Sequence, residues 1–155
     1  MEINFMAGCF WEDKRLEEMT HDEWERVCDG CAKCCLVKLE DEDTAEVFYT
    51  DLHCRMLNEN TCRCTAYDRR AKEVPSCVIL GPESIDDLWM MPTSCAYRRL
   101  HEGRELPAWH HLISKDASLV LKAGKSIRGR SFAENAIGEE EFEDRLVDWP
   151  VLEGD

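Results

Sequence analysis

Nine of the ten cysteines of this chain lie between positions 28 and 95, and four of them occupy eight consecutive positions in "CDGCAKCC", residues 28–35. The spacing Cys28-x2-Cys31-x2-Cys34 lets a turn bring thiolates around one soft ion or cluster, with Gly30 allowing a tight fold between donors. Cys34 and Cys35 are adjacent, so their Cα atoms stand only about 3.8 Å apart, too close for an unstrained disulfide. Their side chains leave the backbone in different directions, which suits donors to two ions or to different corners of a cluster. Cys35 is therefore expected to be a hinge between two coordination groups.

The second half of the cysteine-rich segment supplies Cys54, Cys62, Cys64, Cys77 and Cys95. On extended backbone, Cys62-x-Cys64 places both sulfurs on one face. Ser94 reads as a helix N-cap, which puts Cys95 where free N–H groups and the helix dipole favour a thiolate. The set exceeds one four-thiolate site, so there are either two centres or one centre plus functional thiols. Cys9, in "AGCFW", stands apart and reads as a partly buried free thiol. His53, beside Cys54, and His110 and His111, in "WHH", have the chemistry of nitrogen ligands or proton-transfer groups. A supporting or surface role is the plainer reading for each. His21 and His101 sit in polar helical segments and are expected in solvent. Trp24, Trp89 and Trp109 are expected in the core.

The opening stretch, "MEINFMAGCFWEDK", does not read as a secretory leader, and no window resembles a membrane span. The expectation is a soluble, cytoplasmic protein, where thiols stay reduced and cysteine density points to metal or redox chemistry rather than to a disulfide scaffold. A formal net charge of -14 disfavours nucleic acid and anionic lipid surfaces as partners. The most basic stretch, "KAGKSIRGR", carries no interleaved aromatics and reads as a solvated loop or edge strand.

These cysteines must be positioned by short elements. Leu16, Met19, Trp24 and Val27 recur at helical spacing, and Thr20-x-x-Glu23 is a capping box, so one or two short helices should deliver Cys28. Alternation of Val37 with Leu39 and of Val47 with Tyr49 predicts two strands joined by an acidic turn that lacks the glycine and donor order of a calcium loop. "TAYDRRAKEV" reads as a helix capped by Thr65 and stopped before Pro75. A short helix capped by Ser84 should run towards Pro92, and another from Ser94 should end before Gly103. "LPAWHHLI" reads as irregular, "SIRG" as a strand, and "EEEFEDRLVDWP" as an acidic helix. The expected fold class is α+β: a single domain over 1–155, with short helices and a small antiparallel sheet or hairpin. Cysteine-ligated metal should crosslink it through segment 28–95, with an acidic segment at 139–155.

"CDGCAKCCLVKLEDEDT", "TCRCTAYDRR", "PSC", "TSCAYRRLHEG" and "LPAWHHL" together resemble the bacterial cysteine-cluster proteins of the YcgN and YkgJ type, with their C-x2-C-x2-C-C signature. The resemblance runs from "FWEDKRLEEMTHDEWE" to "SIRG". It implies a zinc- or iron-chelating domain, in some members described as iron-sulfur-containing. It selects Cys28, Cys31, Cys34, Cys35, Cys54, Cys62, Cys64, Cys77 and Cys95 as cofactor- and metal-binding residues and leaves Cys9 outside. A similar cluster is implied in flagellin lysine methylases, although a shared metal module does not fix a reaction.

Three functions follow as expectations. The first is an iron-sulfur protein serving electron transfer or redox chemistry, with a protein redox partner. The second is a structural zinc module presenting an interaction surface. The third is a metal-free thiol oxidoreductase using Cys28 and Cys31, although a helical pattern precedes rather than follows its motif. Nucleotide-loop, serine-hydrolase and zinc-protease motifs are absent from the sequence.

Overall fold

In the computed structural model, residues 10–74, 77 and 80–152 are described. Cys9 therefore lies outside the described residues, as do Pro75 and the last three positions of the acidic segment. The architecture is α+β, as expected. Helices α1 (Phe10–Asp13) and α2 (His21–Val27) precede strands β1 (Leu36–Glu40) and β2 (Val47–His53). A two-stranded ladder of β3 (Leu57–Asn58) and β4 (Arg63–Cys64) leads to α3 (Arg70–Glu73) and α4 (Ala96–His101). The chain continues through α5 (His111–Ser114), α6 (Leu119–Lys122), β5 (Phe132–Ala133), β6 (Leu146–Val147) and α7 (Trp149–Leu152).

Helix α2 begins where its capping box places it. Thr20 Oγ1 accepts from the Glu23 N–H at 3.1 Å, and Glu23 Oε1 accepts from the Thr20 N–H at 3.0 Å. Its apolar face, Trp24 and Val27, is buried with Phe10, Trp11, Leu16, Met19, Leu88, Met91, Tyr97 and Leu112 in a helical core. Trp24 stacks on Tyr97 with centroids 4.5 Å apart. Truncating so large a buried ring costs about 3–5 kcal/mol in comparable cores.

The last carbonyls of a helix have no partner within it. In α2 three of them are taken by side chains: Trp24 O by Tyr97 Oη at 2.6 Å, Arg26 O by His111 Nε2 at 2.8 Å, and Val27 O by His110 Nε2 at 2.7 Å. Cys28 then leaves the helix in extended conformation.

Strand β2 is the spine of the sheet. It pairs antiparallel with β1, Lys38 opposite Tyr49 and Leu39 opposite Phe48, with an irregularity between Leu36 and Lys38. Along its other side it pairs parallel with β5 and antiparallel with β6. The β1–β2 turn is held by Asp41 Oδ1, which accepts from the Asp43 and Thr44 N–H groups. A second core of Ala32, Leu36, Tyr49, Leu57 and Ile127 lies under the sheet. The segment 28–35 runs from the helical core to the sheet core, turning through left-handed backbone at Gly30 (φ 78) and Ala32 (φ 65).

Several boundaries differ from the sequence expectation. The helix after Ser94 starts at Ala96 with Cys95 as N-cap and no side-chain cap, because the Ser94 hydroxyl is engaged by Lys33. Thr65 does not cap α3; its hydroxyl donates to Met56 O. Ser84 does not start a helix but sits at a kink in a 3-10 segment, Pro82–Met90, its Oγ accepting from the Gly81 N–H. "SIRG" is turn, and the strand comes later, at β5. The acidic run forms a 3-10 segment, Glu139–Arg145, followed by β6 and α7 rather than one helix. His111 opens α5 within a stretch read as irregular. Trp24 is core, whereas Trp89 is 56% exposed.

Two outcomes are expected. A Cβ at Gly30 would meet nothing within 4 Å, so Gly30→Ala carries only the left-handed backbone penalty. Urea unfolding should show a loss of about 1–2 kcal/mol. His110 is fully buried, its Nδ1 accepting from the Leu112 N–H at 3.0 Å, so the fold holds the neutral ring. Burial lowers its pKa from the ordinary 6.5, partly offset by the Val27 carbonyl. The unfolded chain then binds the proton more readily, so this contribution is complete above 6.5 and is lost as pH falls below it. The urea midpoint should drop on acidification below that value, with a shallower decline in His110→Asn.

Candidate metal centre

The described cysteines are thiols, with no disulfide among them. Cys28 is the C-cap of α2, Cys34 and Cys35 lie in a 3-10 turn, Lys33–Cys35, and Cys95 is the N-cap of α4. Lys33, fully buried, donates from Nζ to Ser94 Oγ at 2.9 Å and so ties the Cys34 turn to the start of α4. On the other side the Cys54 N–H donates to Cys35 O at 2.8 Å, the Leu57 N–H donates to Cys54 O, and Leu57 pairs with Cys64. Arg55 donates to Glu73 O, drawing the end of α3 and the residues after it, among them Cys77, towards Cys54.

Two neighbourhoods result. Cys28, Cys31, Cys34 and Cys95 feel one another's charge and that of Asp29. Cys54 feels Cys64, and Cys77 feels both as well as Cys34, while Cys35 feels Cys34 and Cys54. Cys34 borders both sets, which is where the adjacency of the two cysteines was expected to matter. Among the described residues no three donors are already gathered closely enough to hold one ion.

Cys28, Cys31, Cys35, Cys54, Cys77 and Cys95 are set against their own ionisation. Cys28 as a residue reaches solvent, yet its sulfur is densely surrounded, and desolvation, then the Asp29 charge, pushes its pKa up. Cys31, buried, is raised for the same two reasons. Cys95 is pushed up to about 12, mainly by burial, so desolvation outweighs the Tyr97 and Arg98 N–H groups that were expected to favour its thiolate. Cys34 is the exception, drawn down to about 6 by the Cys35 thiol beside it and then, against burial, by the Lys38 ammonium. Cys35 correspondingly keeps its proton.

The residues fit a soft cation. All eight sulfurs are donors of the right type, and a cation would relieve the crowding of potential negative charge. Further, Asp29 Oδ2 is buried with no hydrogen-bond partner while Oδ1 accepts from the Cys31 N–H at 2.9 Å. Backbone N–H groups already point at sulfur, from Gly30 to Cys28 and from Met56 to Cys54, both at 3.4 Å. Lys38, which bonds to Cys34 O and Leu36 O, sets positive charge beside Cys34, Cys35, Cys54 and Cys77.

Cys62 is placed differently from the reading of its spacing. Its backbone is left-handed (φ 57) rather than extended, so the expected shared face with Cys64 is lost. Its sulfur lies 3.4 Å from Ser126 Oγ, in a cleft of about 150 Å³ lined also by His53, Glu59, Arg128 and Ser131. His53 is buried there, with Nδ1 2.8 Å from Ser131 Oγ and Nε2 3.1 Å from Glu59 Oε1. Both ring nitrogens are thus committed within that cleft. His110 and His111 are committed to α2, and His21 and His101 are exposed. Sequence reasoning missed Asp29 and Lys33, although both stand inside "CDGCAKCC".

Among the described residues no helix is long and apolar enough to cross a membrane. No solved structure matches the chain. Residues 27–96 match the CxxCxxCC family model, described as "Putative zinc- or iron-chelating domain". A UPF0260 protein of Parvibaculum lavamentivorans is 54% identical over 92% of this chain and 94% of its own length. One from Marinobacter nauticus is 49% identical over 90% of this chain and 95% of its own, and one from Rhodopseudomonas palustris is 49% identical over 97% and 89%. With thiol-lined neighbourhoods inside the segment matched by that model and relatives at about half identity along nearly all its length, the chain belongs to the UPF0260 family.

Proposed function

We propose that the protein binds iron-sulfur cluster through cysteine thiolates and serves electron transfer or redox chemistry with a protein partner. The observation that carries this reading is the presence of eight thiols in two neighbourhoods that border one another at Cys34. That number exceeds what one closed four-thiolate zinc site uses. An iron-sulfur cluster supplies reversible one-electron chemistry when bound. The chain's own part is to hold and tune. Cys28, Cys31, Cys34 and Cys95 offer one donor set and Cys35, Cys54, Cys64 and Cys77 the other. The Gly30 and Met56 N–H groups, directed at Cys28 and Cys54, favour the more reduced state by stabilising charge on sulfur. Lys38 offsets thiolate charge. Metal binding would displace the protons that burial keeps on Cys28, Cys31 and Cys95, so uptake should release protons.

Anaerobic purification followed by iron, zinc and acid-labile sulfide analysis with a visible spectrum tests the reading. Brown protein with iron and sulfide in similar amounts is expected; colourless protein with stoichiometric zinc would replace it with a structural zinc module. Cys31→Ser should lose the visible absorption, whereas Cys62→Ser, altering a sulfur in the separate cleft, should keep the full metal complement. Equal losses in the two variants would remove the distinction drawn between those thiols.

A further inference from the structure

Asp29 sits between Cys28 and Gly30 in the loop that carries the first donors. Its two oxygens have different surroundings: Oδ1 is fixed by the Cys31 N–H at 2.9 Å, and Oδ2 is buried with no hydrogen-bond partner. A buried carboxylate oxygen left unpaired costs more than an exposed one. The Cys31 N–H fixes the carboxylate plane, so Oδ2 is held in place rather than free to swing towards solvent.

We infer that Asp29 is a metal ligand through Oδ2, adding a carboxylate donor to the thiolates of Cys28, Cys31, Cys34 and Cys95. This rests on the reading that the thiols hold metal, though not on the metal being iron. A carboxylate oxygen is a harder and more readily exchanged donor than a thiolate, so the position it occupies is the one from which an ion is released or at which an exogenous donor enters. Asp29 thereby separates one labile position from the thiolate-bound remainder.

Cobalt(II) titration of the metal-free full-length protein, read by visible absorption, tests the assignment without any activity. Thiolate-to-cobalt charge transfer and ligand-field bands report the donor set. Asp29→Asn keeps an oxygen to accept from the Cys31 N–H and removes the charge that binds metal. It should weaken cobalt affinity by at least about tenfold, the scale on which altered metal surroundings act, and change the ligand-field bands. Asp29→Cys should restore affinity, with added charge-transfer intensity and slower loss of cobalt to a chelator. If Asp29→Asn takes up cobalt with wild-type affinity and spectrum, Asp29 is only a backbone anchor and the inference fails. Should Asp29→Asn not fold, as read by circular dichroism, Asp29→Cys decides alone, and a spectrum unchanged from wild type overturns the ligand role. If wild-type protein gives no thiolate charge transfer, the metal-binding reading falls and Asp29 with it. If native protein proves to hold zinc, the iron-sulfur reading falls while Asp29 stands or fails on its own spectra.

Discussion

Crowding of thiols is the constraint to which the rest of this fold answers. A sulfur surrounded by protein loses solvation, and a neighbouring carboxylate or thiolate adds repulsion, so Cys28, Cys31 and Cys95 resist ionisation together. A chain of this length with short elements has little packing energy with which to oppose that repulsion. Protons on the thiols, the ammonium group of Lys38, and N–H groups aimed at sulfur each lower the same electrostatic cost. Cys34 shows how local the balance is, since one adjacent thiol and one lysine reverse the direction seen in its neighbours.

Positioning is the second demand, and it is met by committing polar side chains to backbone. Tyr97, His110 and His111 close the end of α2 so that Cys28 departs at a fixed place. Ser94 forgoes a helix cap to receive Lys33, which ties the segment carrying Cys34 to the one carrying Cys95. Residues that look like chemistry in the sequence, the "WHH" histidines above all, are in this sense joinery.

What was legible in the sequence was whatever depended on neighbours close along the chain. The Thr20–Glu23 box, the alternation in β1 and β2 and the acidic turn all rest on contacts spanning a few residues, and all are present. Misreadings arose where a distant partner captured a local signal. Ser94 was taken by Lys33 and Thr65 by Met56, so neither capped a helix. Cys62 and Cys64 read as one extended pair, but the left-handed backbone at Cys62 sends its sulfur to Ser126 instead. Asp29 carried no pattern of its own, because an unpaired buried oxygen becomes visible only once the surrounding atoms are placed. Cysteine spacing pointed to segment 28–95 as the part of the chain with metal-binding character, and the matched domain spans 27–96.

One peptide unit joins Cys34 to Cys35, and those residues face sets of thiols anchored to different cores, the helical one through Cys95 and the sheet one through Cys35. A planar link of about 3.8 Å between consecutive Cα atoms limits how far the two sets can separate at this point. The pair works as a shared hinge pin: packing of the helical half and packing of the sheet half meet at one peptide, so a displacement of that peptide on either side reaches the donors of both.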